Sequence, residues 1–233
     1  MTQKQNGNAL IFILIAIALL GLLTVSLSNS SSNSNDTGDF EQNQIAASEI
    51  LTYAKSIENA VQSLLARGCS ENEISFDQAV VSGYSNTNSP TDNSCHVFDV
   101  AGAGLTYIAP NEDWLDNAFD IPFYSGNYGT WWISTSPQID DVGTNNAELK
   151  ISLNFLKESI CLRLNGMSKV SNPSGLVPLE ETDNGTGKFT GTYGVPVADN
   201  LGDDGGHDLS GKLTHCRREG TPIYQFNHVL HAR

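Results

Sequence analysis

Fifteen residues at 9–23, ALIFILIAIALLGLL, carry no charge, and Val25 and Leu27 extend the run to 19 residues counted from Ala9. No soluble helix with a polar face can be drawn through such a stretch. At about 1.5 Å per residue it reaches roughly 28 Å as a helix, close to the ~30 Å hydrocarbon core of a bilayer. The expectation is therefore a transmembrane helix over 8–27. Lys4 is the only basic residue before it, and the next is Lys55, whereas Asp36, Asp39 and Glu41 follow closely. The positive-inside rule places the short leader 1–7 in the cytoplasm and everything after the run on the far side. Ser26-Leu27-Ser28 is a poor match to a signal-peptidase site, and no lipid-attachment cysteine follows the run.

Beyond the run the chain is acidic, with 26 Asp and Glu against 12 Lys and Arg in the full 233 residues, one of those 12 being Lys4. Only 16% of residues are charged, so Gly, Ser and Asn supply much of the polar surface. There is no basic footprint for nucleic acid. The tract SNSSSNSNDTG at 28–38 has nothing to bury and reads as a linker, leaving 39–233 as a single extracytoplasmic α+β head.

Periodicity organises the head. Ala47, Ile50, Ala54, Ile57, Val61, Leu64 and Leu65 form one stripe at three- and four-residue steps, predicting a long amphipathic helix from an Asp39 cap, with Gln42 in capping-box spacing, to a Gly68 stop. Past Cys69 the pattern turns to short apolar runs between Gly, Asn, Asp, Ser and Pro, predicting strands near 95–99, 105–109, 130–135, 147–153 and 223–230. Leu149, Ile151 and Leu153 alternate with Lys150, Ser152 and Asn154, the mark of a half-buried strand with its lysine outward. A short helix is expected over 155–165, ending at Asn165-Gly166, although Leu149, Leu153, Leu156, Ile160 and Leu164 would also suit one long helix, and irregular loops are expected over 170–210. The long helix needs a partner for its stripe, and an antiparallel sheet is the obvious one.

Cys69, Cys95, Cys161 and Cys216 match no Cys-x-x-Cys motif and lie where disulfides persist. Three pairings are open to four cysteines, and spacing does not choose among them. Cys69 with Cys95 and Cys161 with Cys216 is the favoured pairing, since each would clip a long loop to a helix end. Among the histidines, His215 adjoins Cys216, and His228-x-x-His231 would point to opposite faces of a strand, a poor zinc site. Asp199, Asp203, Asp204 and Asp208 offer hard oxygen ligands for calcium, although they break EF-hand spacing and suit a solvated acidic turn as well. The segment FYSGNYGTWW at 123–132 gathers aromatics that could serve a partner or pack the core, with Trp131 and Trp132 on opposite faces. No catalytic motif is present: neither a nucleophile elbow, nor a His-Glu-x-x-His, nor a phosphate loop. No enzymatic activity and no cofactor are expected.

The polar leader ending at Gly7, followed at once by the apolar run from Asn8, resembles the type IV pilins and pseudopilins, as does the order of amphipathic helix, antiparallel sheet and cysteine-clipped C-terminal region. The resemblance implies cleavage after Gly7 with Asn8 as the new N-terminus, and it likens Cys161 with Cys216 to the pilin C-terminal disulfide. This sequence departs from the family in having Asn8 first and Phe12 where major pilins place a Glu used in filament assembly, and in the 28–38 interruption of the helix. A minor or adhesin-type filament component at the bacterial inner membrane, its head periplasmic or at the cell surface, is what the resemblance implies. Its partners would be the membrane and like subunits. The same plan also suits a membrane-associated virion or spike component, or an anchored periplasmic binding protein or enzyme.

Overall fold

The computed structural model of the chain describes residues 38–144, 146–181, 187–194, 200–202, 209–220 and 222–233. The leader 1–7, the expected transmembrane helix 8–27 and all but the last residue of the 28–38 linker lie outside the described residues. Contacts divide the chain into two units, Met1–Asn43, of which 38–43 are described as helix, and Gln44–Arg233.

The expected fold class, a transmembrane helix joined to a head, requires correction. Among the described residues the fold is α+β, with two α-helices and a four-stranded antiparallel sheet, and no helix is long and apolar enough to cross a membrane. The first helix, α1 over 38–66, carries Glu49, Lys55 and Glu58 outside its apolar stripe. The second, α2 over Glu158–Met167, has 10 residues, roughly 15 Å, half of what a bilayer needs.

The stripe of α1 is buried as its spacing required. Ala47, Ile50, Ala54, Ile57, Val61 and Leu64 are all inaccessible, and Leu65 is partly covered. The helix is already formed at 38, so Asp39 lies within it instead of capping it. It stops at Gly68, whose φ of 100° suits only a residue without a side chain; Gly68 N–H bonds Leu65 O and Cys69 N–H bonds Leu64 O, the double closure of a Schellman turn.

The sheet comprises β1 (Trp131–Ser134), β2 (Leu149–Leu153), β3 (Thr214–Arg218) and β4 (Tyr224–His231), in the order β1-β2-β4-β3. Three of these answer to predicted strands, whereas β3 was not foreseen. Its sequence, THCRR, has one apolar residue, and it is a strand because β4 pairs with it at Cys216↔Phe226 and Thr214↔His228. Conversely, 95–99 and 105–109 are not strands. They form a tight loop in which Val97 N–H bonds Ser75 O, Leu105 N–H bonds Val97 O and Ala103 N–H bonds His96 O. A Cβ at Gly102 would collide with the His96 carbonyl, so backbone approaches backbone too closely there for a regular ladder.

The second helix starts and ends later than expected. Phe155 adopts a φ of 63° and Leu156 bridges Leu115, which commits 155–156 to the loop below the sheet before the helix begins at Glu158. It passes Asn165-Gly166 and ends with Lys169 in the left-handed conformation while Val170 N–H reaches Asn165 O. Both favoured disulfides are formed: Cys69–Cys95 ties the end of α1 to the 95–105 loop, and Cys161–Cys216 ties α2 to β3.

The core lies between α1 and one face of the sheet, where Trp131, Ile133, Ile151, Leu153, Phe226 and Leu230 meet the helix stripe. The other face was expected to be solvated and is not. All five residues of β2 are buried, including Lys150. Glu180 N–H bonds Arg218 O along the outer edge of β3 and Phe189 N–H bonds Ile133 O along that of β1, while the face itself is met by Pro137 O, which takes the Lys150 ammonium, and by Ile139, Val142 and Leu201, which cluster with Val229.

Candidate functional site

An open aromatic groove along α1 and a sealed polar layer behind the sheet stand out among the described residues.

The groove has a volume of about 550 Å³ and runs between Ser48, Glu49, Thr52, Tyr53 and Ser56 of α1 and the segment from Ile108 to Trp114, with Trp131 at its base. Its floor is held from two sides. Tyr53 Oη accepts a hydrogen bond from Ile108 N–H at 2.9 Å, and Trp131 Nε1 donates to Ile108 O at 2.9 Å, so both main-chain groups of one exposed residue are fixed by core aromatics. The Tyr53 and Trp131 rings lie 5.2 Å apart and tilted by 38°. Burial raises the Tyr53 phenol to about 12, so it remains a neutral hydroxyl at any working pH. The Ile108 side chain stays 58% exposed on this fixed backbone. Aromatic rings, small hydroxyls and the Glu49 carboxylate thus border a rigid, partly apolar trough, which is a recognition surface by composition.

The aromatic segment FYSGNYGTWW divides between roles. Trp131 belongs to the core and the groove, while Trp132, on the other sheet face, lies under the Lys188 ammonium at 5.1 Å. Phe123 is 83% exposed and packs edge-on against Tyr124, which with Phe119 and Tyr128 surrounds Phe155.

The sealed layer joins residues far apart in sequence. Ser152 Oγ donates to Asn227 Oδ1 at 2.8 Å, Asn227 Nδ2 donates to Gln225 Oε1 at 3.2 Å, and Arg217 Nε donates to the same oxygen at 2.6 Å. Arg217 Nη1 reaches Glu180 O, and Nη2 pairs with Glu219 at 3.0 Å. The Lys150 ammonium donates to Pro137 O at 2.9 Å. Burial, and then the nearby Arg217 charge, hold Lys150 well below the ordinary lysine range. His215 Nδ1 is 3.0 Å from Lys212 O, so that nitrogen carries the proton, and Nε2 has no partner among the described residues. Its burial drops the imidazole to about 3, keeping it neutral. The sequence showed the β2 alternation but not the cover that turns its polar side inward.

Of the residues singled out from sequence, Cys69, Cys95, Cys161 and Cys216 are joined as expected. Gly7, Asn8, Asp199, Asp203, Asp204 and Asp208 lie outside the described residues, and among the described residues no group of three metal-ligating side chains converges. His228 and His231 serve separate contacts. His228 Nε2 meets Glu58 at 2.8 Å and its Nδ1 meets Thr214 Oγ1 at 2.6 Å, while His231 Nε2 meets Glu71 at 2.9 Å. Sequence reasoning missed Tyr53, Trp114, Glu58 and Thr214, whose partners stand many residues away and leave no local signature. In comparisons with known proteins, no family model, no curated protein and no solved structure matches this chain.

Proposed function

We propose that the chain is a structural subunit displayed by the bacterial envelope, a minor pilin-like or pseudopilin-like subunit or an adhesin-type filament component, at the inner membrane with its head on the periplasmic or extracellular side. The observation that supports this reading is the packing of the long helix α1 on a four-stranded antiparallel sheet whose strand β3 is clipped to α2 by Cys161–Cys216. Two disulfides suit an oxidising compartment. The acidic, low-charge surface keeps the head soluble and disfavours nucleic-acid partners. The groove beside Ile108 gives the head a preformed face for a partner or a like subunit.

The test is mass spectrometry of the N-terminus of the protein isolated from its native host. A chain beginning at Asn8 supports the processed-subunit reading, and recovery of intact Met1 as the sole species overturns it.

A further inference from the structure

A second cleft, about 450 Å³ in volume, opens where α1, the end of α2 and the start of β3 meet; Thr214 and His228 lie in its wall. These two residues are directly opposed on β3 and β4, and Thr214 Oγ1 stands 2.6 Å from His228 Nδ1. The other imidazole nitrogen, Nε2, stands 2.8 Å from Glu58 Oε2 on α1. Chemistry fixes the direction of both bonds. Burial pushes the Glu58 carboxyl up, but Lys55 and His228 outweigh it and keep the group below its ordinary range, hence ionised and able only to accept. Nε2 therefore carries the imidazole proton. Burial also lowers His228 against the pull of Glu58, so near neutrality the ring holds that one proton and Nδ1 is a bare lone pair. The Thr214 hydroxyl is then the donor, aimed at a base whose tautomer is set by a carboxylate. A cross-strand hydrogen bond needs only the first two residues; the carboxylate behind the ring and the cleft in front of the hydroxyl are what nucleophilic catalysis adds.

We propose that Thr214 and His228, with Glu58 as positioning residue, form an acyl-transfer site for carboxylic esters. Leu51, Met167 and Leu213 give the cleft apolar walls for a short acyl chain, and Lys55 and Lys212 border it with ammonium groups that favour a substrate bearing an anionic substituent. Thr214 Oγ attacks the ester carbonyl carbon while His228 Nδ1 takes the hydroxyl proton. The tetrahedral adduct collapses, the bond to the leaving alcohol breaks, and His228 returns the proton to that oxygen. Water, deprotonated by the same nitrogen, then attacks the acyl-Thr214 ester, releasing the carboxylic acid and restoring the hydroxyl. Glu58 stays ionised throughout and holds the ring. This activity stands independently of the filament role, so either reading survives failure of the other.

The experiment uses the purified full chain with p-nitrophenyl acetate and with a carboxylated nitrophenyl acetate, following nitrophenolate release and mapping acetylated peptides after acid quench. The expected result is a burst, an acetyl group on Thr214, faster turnover of the carboxylated ester, and loss of at least about a hundredfold in rate in Thr214→Val and His228→Gln. Thr214→Ser retains the burst, which keeps the test decisive if the valine variant fails to fold. Glu58→Gln removes the anion that raises His228, so the acid limb of the rate profile moves to lower pH as the rate falls, a shift that mere loss of packing would not produce. No turnover, acetylation confined to lysines, or an unchanged rate in a folded Thr214→Val overturns the proposal.

Discussion

The Asn165 carboxamide closes both main-chain groups of Cys216: Nδ2 donates to Cys216 O at 2.9 Å, and Oδ1 accepts from Cys216 N–H at 2.7 Å. Since β3 is an outer strand of the sheet, the side chain takes the place of a neighbouring strand at the residue that also carries the disulfide to α2. One amide satisfies two buried polar groups, and α2 is registered on β3 by three bonds within five residues of its own length.

Replacing Asn165 by Leu keeps the volume but strands the Cys216 N–H and C=O. With about 1–3 kcal/mol for each buried group left unpaired, the variant should lose roughly 2–6 kcal/mol. Urea denaturation checks this; a loss below about 1 kcal/mol would show that water or a backbone shift replaces the amide.

Removing the disulfides should cost more for the longer loop. Chain-entropy arithmetic gives about 4 kcal/mol for Cys161–Cys216, separated by 55 residues, and about 3.5 kcal/mol for Cys69–Cys95, separated by 26. Paired Cys→Ala variants compared by denaturant midpoint test the order. The Cys161–Cys216 pair should be the more sensitive by about the loop-length margin, since the Asn165 bonds go to the main chain of residue 216 and survive the substitution.

His215 predicts an acid limb in stability. Its folded-state value near 3 lies below the ordinary 6.5, so between those values the unfolded chain binds more protons than the folded one. Stability therefore rises with pH across that window: the contribution is complete above 6.5 and drains away as pH falls toward 3. One group gives at most about 1.4 kcal/mol per pH unit. His215→Phe, which fills the same space without a titrating ring, should flatten the slope of unfolding free energy between pH 4 and 6, roughly the interior of that window. An unchanged slope would assign acid sensitivity to the carboxylates instead.

Tyr53→Phe removes the acceptor for Ile108 N–H while leaving the ring that packs on Trp131. The expected stability loss is about 1 kcal/mol, with a local signature: faster hydrogen exchange at the Ile108 amide and little change along β4. Unaltered protection at Ile108 would mean that the groove floor is not held by this bond.

Much of the helical architecture was legible because it is local. The α1 stripe, its stop at Gly68, the alternation of β2, the apolar run of β4 and the strand at Trp131 all follow from spacing within a few residues. Boundaries shifted where distant contacts intervened, as when Leu115 bridged Leu156 and delayed α2, or when Asn165 reached Cys216 and carried the helix past Gly166. The predicted strands at 95–99 and 105–109 failed because apolar runs there are folded back on Ser75 and Cys95 in a disulfide-tied loop. The groove was visible only in part, through Trp131.

Periodicity was enough to establish a long amphipathic helix and several strands, because each depends on residues close in the chain. Tertiary structure decided what lies on either side of the sheet. The same alternation in LKISL would suit a lysine in water, yet Lys150 is buried, its ammonium held by Pro137 O from the segment that follows β1. It also decided that Glu58, Thr214 and His228 meet across 14 and 170 residues of separation. Burial and charge at such junctions are set by three-dimensional neighbours, and no one-dimensional spacing encodes them.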